Sequence, residues 1–305
     1  EGSYEAFDFD ITDLLRGGQN ELIVGAWDNH DGLHACGKDC VTQGDYTFTS
    51  GIWQTVWLES VPRRYITDIV ITPNVARSLV KVRAKHFGET ERVQVAVMVN
   101  GKTVNAASGS GTNEIEISIP DAHLWSPNDP FLYDLKVQLV DRKGKVLDEV
   151  GSYFGLRSVG IGNVAGKLRP LLNGKFIFQM GPLDQGYWPD GIHTAPTDAA
   201  LKYDLEVIKK LGFNLVRKHA KLEPQRWYYW ADKLGLLVWQ DMPSMWYPED
   251  QPERTHAQFE HEWQTIIQQH YNSPAIVAWV PFNENWGAYD VARITDWTKT
   301  LDPTR

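Results

Sequence analysis

Asn283 and Glu284 follow directly on an apolar run, Ala275-Ile276-Val277-Ala278-Trp279-Val280, with Pro281 and Phe282 between. A carboxyl group in that place can protonate a leaving oxygen and then take a proton from an incoming water. The neighbouring amide can hydrogen-bond a substrate hydroxyl. Taken alone, a glutamate in a surface loop is the simpler reading. A second candidate is the pair Cys36 and Cys40, with His30 and His34 nearby. A structural zinc site uses four such ligands. The plainer alternative is a loop with two thiols, bridged if the protein is exported. The third is the ring content, 13 Trp beside 12 Tyr and 11 Phe. Flat rings stack on apolar sugar faces, but they also fill cores, and composition alone favours cores.

The pattern after Pro170 shows what would position Asn283 and Glu284. Phe176 to Met180 reads as a short apolar strand. Thr197-Asp198 opens a helix to about Lys210, with Leu201, Leu205 and Ile208 at helical spacing and Gly212 beyond its end. Phe213 to Val216 is the next strand, and Pro224 starts a helix that stops near Leu234-Gly235. Leu236 to Trp239, a helix over Glu253 to Tyr271, and Ala275 to Val280 complete the series before a last helix. Strand and helix alternate four times, the rhythm of a parallel (β/α) array. A closed barrel needs eight units and about 250 residues; about half that remains here, so half a barrel is expected. Its active site would lie at the carboxyl ends of the strands, where Asn283 and Glu284 stand.

Upstream the grammar is β. In residues 1–61, Phe7, Phe9 and Ile11 alternate with polar residues, Glu21 to Trp27 reads as a buried strand, and Gly51 to Glu59 alternates strongly. This resembles the back of a β domain. Residues 62–157 hold short strands at Asp68–Thr72, Leu79–Ala84, Val93–Val99, Glu114–Ile119, Tyr133–Leu139 and Val146–Phe154. An Asn100-Gly101 hairpin signal lies among them. Their spacing predicts an immunoglobulin-like sandwich. Residues 158–305 are the barrel part.

Lys plus Arg is 30 against 39 Asp plus Glu, a formal charge of −9 over 305 residues. An acidic surface argues against nucleic acid or an anionic membrane as partner. No apolar run approaches the roughly 18 residues of a membrane span. Glu1 to Asp10 is polar and acidic rather than leader-like, and localisation stays open.

The stretch from His270 through Ser273-Pro274 to Asn283-Glu284 resembles the acid/base motif of glycoside hydrolase family 2, the β-galactosidases, β-glucuronidases and β-mannosidases. Leu124-Trp125-Ser126-Pro127 is similar to the family's late sandwich strand. Phe154-Gly155-Leu156-Arg157 with Leu172-Asn173-Gly174-Lys175 resembles its entry into the barrel, and Gly51 to Glu59 the end of its sugar-binding jelly roll. Asn214-Leu215-Val216-Arg217 and Asp232 to Trp239 resemble its other motif. The architecture so implied is the end of a jelly roll, an immunoglobulin-like β-sandwich and the first half of a TIM barrel.

The resemblance implies a retaining exo-β-glycosidase that binds an oligosaccharide or glycoside and uses no cofactor or metal. Glu284 would be the acid/base, Asn283 would bond the sugar 2-hydroxyl, and Arg217 would hold carboxylates in place. His219, Asp184, Trp188 and Trp286 are further candidates for substrate contact. His219 stands only two residues after Arg217, where several members have a His three residues on. Asp184 and Trp188 read equally as a turn residue and a packing ring. Asp241 takes a structural place where some members carry an Asp-Glu pair. The nucleophile of a retaining mechanism has no candidate after Glu284. Asp290, Asp296 and Asp302 lie in or near the last helix. The expectation is therefore an internal piece of a longer enzyme, inactive alone, whose open last strand is covered by more chain or by a second copy. The alternative is a carbohydrate-binding or scaffolding protein built from the same domains; Glu284 beside Asn283 counts against it. Another barrel glycosidase family is disfavoured by the two upstream β domains.

Overall fold

The computed structural model describes residues 2–28, 37–40, 46–89, 92–111, 113–244, 253–284 and 287–305. Seven strands build the sandwich: β1 Tyr65–Asn74, β2 Leu79–Phe87, β3 Arg92–Val99, β4 Lys102–Gly109, β5 Ile115–Ser118, β6 Tyr133–Val140 and β7 Val146–Phe154. They form two antiparallel sheets, β1-β2-β5 and β4-β3-β6-β7. Alternation decides the faces. Val80, Val82 and Ala84 turn inward while Arg83 and Lys85 stay wet, and Val93, Val95 and Val97 meet Leu135, Val137 and Leu139 inside. Asn100 and Gly101 both have positive φ, 51° and 75°, as a tight hairpin between β3 and β4 requires.

A small antiparallel sheet follows, β8 Val159–Val164, β9 Lys167–Leu172 and β10 Lys175–Phe176. Its turns, Ala165-Gly166 and Asn173-Gly174, also lie at positive φ. The expected first barrel strand, Phe176 to Met180, is therefore displaced. The Asn173-Gly174 turn folds Phe176 back onto β9, opposite Leu171. The parallel sheet opens later, at β11 Leu183–Asp184. Met180 already accepts from the N–H groups of Asn214 and Leu215, but Pro182 has no N–H to give and the ladder starts only beyond it.

The barrel part is a parallel sheet in the order β11-β12-β13-β14, with β12 Leu215–Lys218, β13 Leu237–Asp241 and β14 Ile276–Val280. Its helices are α1 Asp198–Lys210, α2 Gln225–Leu234, α3 Glu253–His270 and α4 Val291–Leu301. Thr197 caps α1 by accepting from the Ala200 N–H, and Gly235 ends α2 in the left-handed region. Trp227, Trp263, Ile266, Ile267, Val238 and Ile276 pack between helices and sheet.

The strands expected at Phe7–Ile11, Glu21–Trp27 and Gly51–Glu59 do not form ladders. The described residues before Tyr65 hold only 3₁₀ turns, at Thr12–Leu14 and Gly37–Cys40. Phe9, Trp27 and Trp57 are exposed. A strand is stabilised by its neighbours, and extended segments without partner strands stay unpaired.

The sandwich grips the barrel at one buried carboxylate. Asp232 of α2 accepts from the Tyr153 hydroxyl of β7 at 2.8 Å, the Ser273 hydroxyl at 2.6 Å and the Ala275 N–H at 2.9 Å. Its own carbonyl accepts from the Trp125 indole at 2.8 Å. Arg157 leaves the sandwich to donate to the carbonyls of Pro274 and Ile276. These bonds fix the start of β14, whose far end leads to Asn283.

Candidate active site

The site is assembled at the carboxyl ends of β11 to β14. Arg217, near the end of β12, donates from Nε and Nη2 to the two carboxylate oxygens of Asp241, both at 2.9 Å. Nη2 also donates to Oδ1 of Asn283 at 2.9 Å. Asp241 is fully buried and closes β13, and its Oδ2 also accepts the Ala220 N–H at 3.2 Å. Burial pushes its carboxyl up, and Arg217 pulls it partly back. Three strand ends thus meet at one guanidinium, whose planar fork suits a bidentate carboxylate.

Asn283 is buried and Glu284, next in the chain, is exposed. Glu284 has φ of +52°, which costs an L-residue roughly 1–2 kcal/mol. Backbone strain of this kind gathers at functional sites. The sequence places Glu284 at the strand-end rim, and the Arg217–Asn283 bond anchors its neighbour there.

Beside this triad lies a second buried network. Lys218 donates to Asp184 Oδ2 at 2.6 Å and to Glu223 Oε1 at 2.9 Å. Lys221 donates to the same Glu223 oxygen at 3.1 Å and to the His193 carbonyl at 2.8 Å. Burial alone would raise the Asp184 carboxyl. The Lys218 ammonium, with the Gly186 N–H and Lys221, outweighs it, and together they hold the group below the usual carboxylate range. Burial likewise works against the Lys218 ammonium, and Asp184 and Glu223 keep it charged. Lys38 enters from the 3₁₀ turn and donates to the His219 carbonyl. Burial, then Lys218 and Lys221, push it down to about 7.

His219 is buried, with Nδ1 at 2.8 Å from Gln185 Oε1. Burial and Lys38 push its imidazole down to about 4, against a hydrogen bond with Asn283 that works upward, so it is neutral near pH 7. Trp188 is half-buried and bridges backbone to backbone with Ile192 while its ring packs on the barrel core. Its indole N–H is buried with no acceptor among the described residues. Trp286, Cys36, His30 and His34 lie outside the described residues, and of Cys40 only the backbone is described.

Arg217, Asn283, Asp184 and His219 are thus brought to one face. Lys38, Lys218, Lys221 and Glu223 were not singled out from the sequence. A run such as Arg217-Lys218-His219-Ala220-Lys221 reads as solvated, and partners from β11 and its loop, from β13 and from the Gly37–Cys40 turn bury it. The available signal was Lys218 and Lys221 falling at and just after a strand end in a parallel array.

Residues 64–157 match the family model of Glycosyl hydrolases family 2, and residues 193–305 match that of Glycosyl hydrolases family 2, TIM barrel domain. Over its whole length the chain is 27% identical to a protein assigned as a β-glucuronidase from Formosa agariphila, covering 39% of that relative. It is 25% identical over 98% of its length to a β-galactosidase from Psychromonas ingrahamii, covering 30% of it. The chain therefore spans well under half the length of these relatives. An FMN-binding β-glucuronidase from Facaelibacterium prausnitzii shares the fold at a TM-score of 0.69 and 24% identity, over 80% of this chain and 40% of that one. With both matched regions in their expected order on a sandwich and a parallel strand–helix array, the chain belongs to the glycosyl hydrolases of family 2.

Proposed function

We propose that the protein acts as a retaining exo-β-glycosidase in which Glu284 is the general acid/base. The observation that carries the reading is the Arg217 guanidinium joining Asp241 and Asn283 at the strand-end rim, with the exposed Glu284 carboxyl next in the chain. Arg217 occupies Oδ1 of Asn283, so the amide NH₂ is the group left for other partners. The sugar 2-hydroxyl is its partner in this reading. That contact strengthens as the sugar approaches an oxocarbenium ion. Glu284 protonates the departing oxygen and, in the second step, takes a proton from water.

The nucleophilic carboxylate is none of Asp184, Glu223 or Asp241, each held by a lysine or arginine. The reading draws it from outside the described residues. Named relatives divide between β-glucuronidases and β-galactosidases, so both sugars belong in the assay.

The test compares parent and Glu284→Gln on aryl β-glucuronides and β-galactosides of graded leaving-group acidity. It uses the 305-residue chain and any longer product of the same reading frame. General acid assistance is worth roughly 10²–10⁴-fold. The variant is expected to lose about that much on poor leaving groups and far less on activated ones. An equal rate on both classes, or an unimpaired variant, would overturn the assignment.

A further inference from the structure

The 3₁₀ turn at Gly37–Cys40 reaches the barrel mouth from far upstream and touches two of its loops at once. Gly37 donates its N–H to the Pro243 carbonyl at 3.3 Å. A Cβ there would stand 2.4 Å from the Ala220 carbonyl oxygen and 3.3 Å from Pro243 Cβ, and φ is +51°. Glycine alone lets the turn lie so close. The next residue, Lys38, is 1% exposed and donates to the His219 carbonyl. One residue thus holds the loop after β13, which follows Asp241, and the other the loop after β12, which follows Arg217. The turn also meets a ring of the N-terminal part: Lys38 Nζ lies 5.7 Å from the centroid of Tyr46, which in turn packs on Tyr187 at 5.1 Å between centroids.

We infer that Lys38 is a positioning residue of the candidate active site: with Gly37 it clamps the loops after β12 and β13 together, so that Arg217, Asp241 and Asn283 keep their hydrogen-bonded geometry. Lys38 lies among Lys218 and Lys221 on the cationic side and Asp241 and Asp184 on the anionic side. An amine buried beside two other ammonium groups is costly to bury. Its return is the tie to the His219 carbonyl, one residue before the Ala220 N–H that binds Asp241.

The inference rests on the glycosidase reading for its activity arm only. Lys38→Met keeps the apolar stem and removes the donor; Gly37→Ala keeps the ammonium and pushes the turn off the Ala220 carbonyl. The first arm needs no substrate. In Lys38→Met the His219 ring, followed by NMR, titrates at higher pH than in the parent. The second arm is turnover. In both variants kcat falls about 10-fold or more, as sub-ångström misplacement does, while KM stays close to the parent's; the thermal midpoint stays close in Lys38→Met and falls in Gly37→Ala, whose added Cβ meets the Ala220 carbonyl at a positive φ. If His219 shifts but neither the 305-residue chain nor a longer product of the same reading frame hydrolyses a glycoside, Lys38 is confirmed at its place and the glycosidase reading fails. If the parent turns over and folded Lys38→Met has an unchanged kcat, the positioning role is overturned. Should Lys38→Met not fold, an unchanged kcat in Gly37→Ala overturns it equally.

Discussion

Arg217 holds Asp241 through two parallel N–H···O bonds while the carboxylate is fully buried and the guanidinium is 27% exposed. The pair couples the second and third parallel strands at the rim, and the third bond, to Asn283, brings in the fourth. Removing the cation should therefore be felt as stability as well as chemistry. Arg217→Met is expected to destabilise by about 3 kcal/mol, the low end for breaking a buried pair, because Arg217 itself is partly solvated. Urea unfolding measures it. The loss should shrink as pH falls, since a protonated Asp241 needs no cation.

Asp232 gives a pH dependence of opposite sense to the usual carboxylate. Burial, only partly countered by its donors Ser273, Ala275 and Tyr153, raises it from 3.8 to about 7. Between those values the folded state binds a proton that the unfolded state does not. Stability from this group is thus greatest below pH 3.8 and falls as pH rises to about 7. Asp232→Asn should remove that contribution. The difference in unfolding free energy, parent minus variant, should decline across this window and be flat above it. A difference constant with pH would show that Asp232 is ionised throughout.

Gly155 sits where sandwich and barrel touch. An added Cβ would lie 2.8 Å from Pro274 Cβ and 2.9 Å from Trp125 Cβ and Cγ. Gly155→Ala should cost about 1–3 kcal/mol by overpacking, read as a lower thermal midpoint. Gly160→Ala, with nothing within 4 Å of the new Cβ, serves as the control.

Glu284 should show activity opposed to stability. Glu284→Gly relieves the positive φ and is expected to leave the fold as stable as the parent or up to about 1 kcal/mol more so. It removes the only side chain assigned to proton transfer. A clear loss of stability in that variant would mean that the Glu284 carboxyl is itself held by the fold.

Much of this fold is legible because its signals are local. The period-two runs of the sandwich, Asn100-Gly101, Thr197 before α1 and Gly235 after α2 each carry their own physics, and the structure follows them. Asn283 and Arg217 are legible by their strand-end position. The failures are non-local. The segments around Phe9, Trp27 and Trp57 have strand-like patterning but no ladder, since pairing depends on a neighbour and not on pattern. β4 lacks a strong alternation and is defined by its hairpin with β3. Lys38, Lys218, Lys221 and Asp232 look solvated in sequence because what buries them comes from distant parts of the chain: 181 positions separate Lys38 from His219, and 79 separate Tyr153 from Asp232.

The Asp232 junction also bears on the order of events during synthesis. Tyr153, Trp125 and Arg157 leave the ribosome well before Asp232, Ser273 and Ala275. Domains fold largely as units in the order they emerge. A finished sandwich would then present its hydroxyl, indole and guanidinium to barrel strands that cannot yet close on one another. The nascent parallel sheet would meet a ready docking face as its strands emerge, which shortens the interval in which its apolar residues stand open to neighbouring chains.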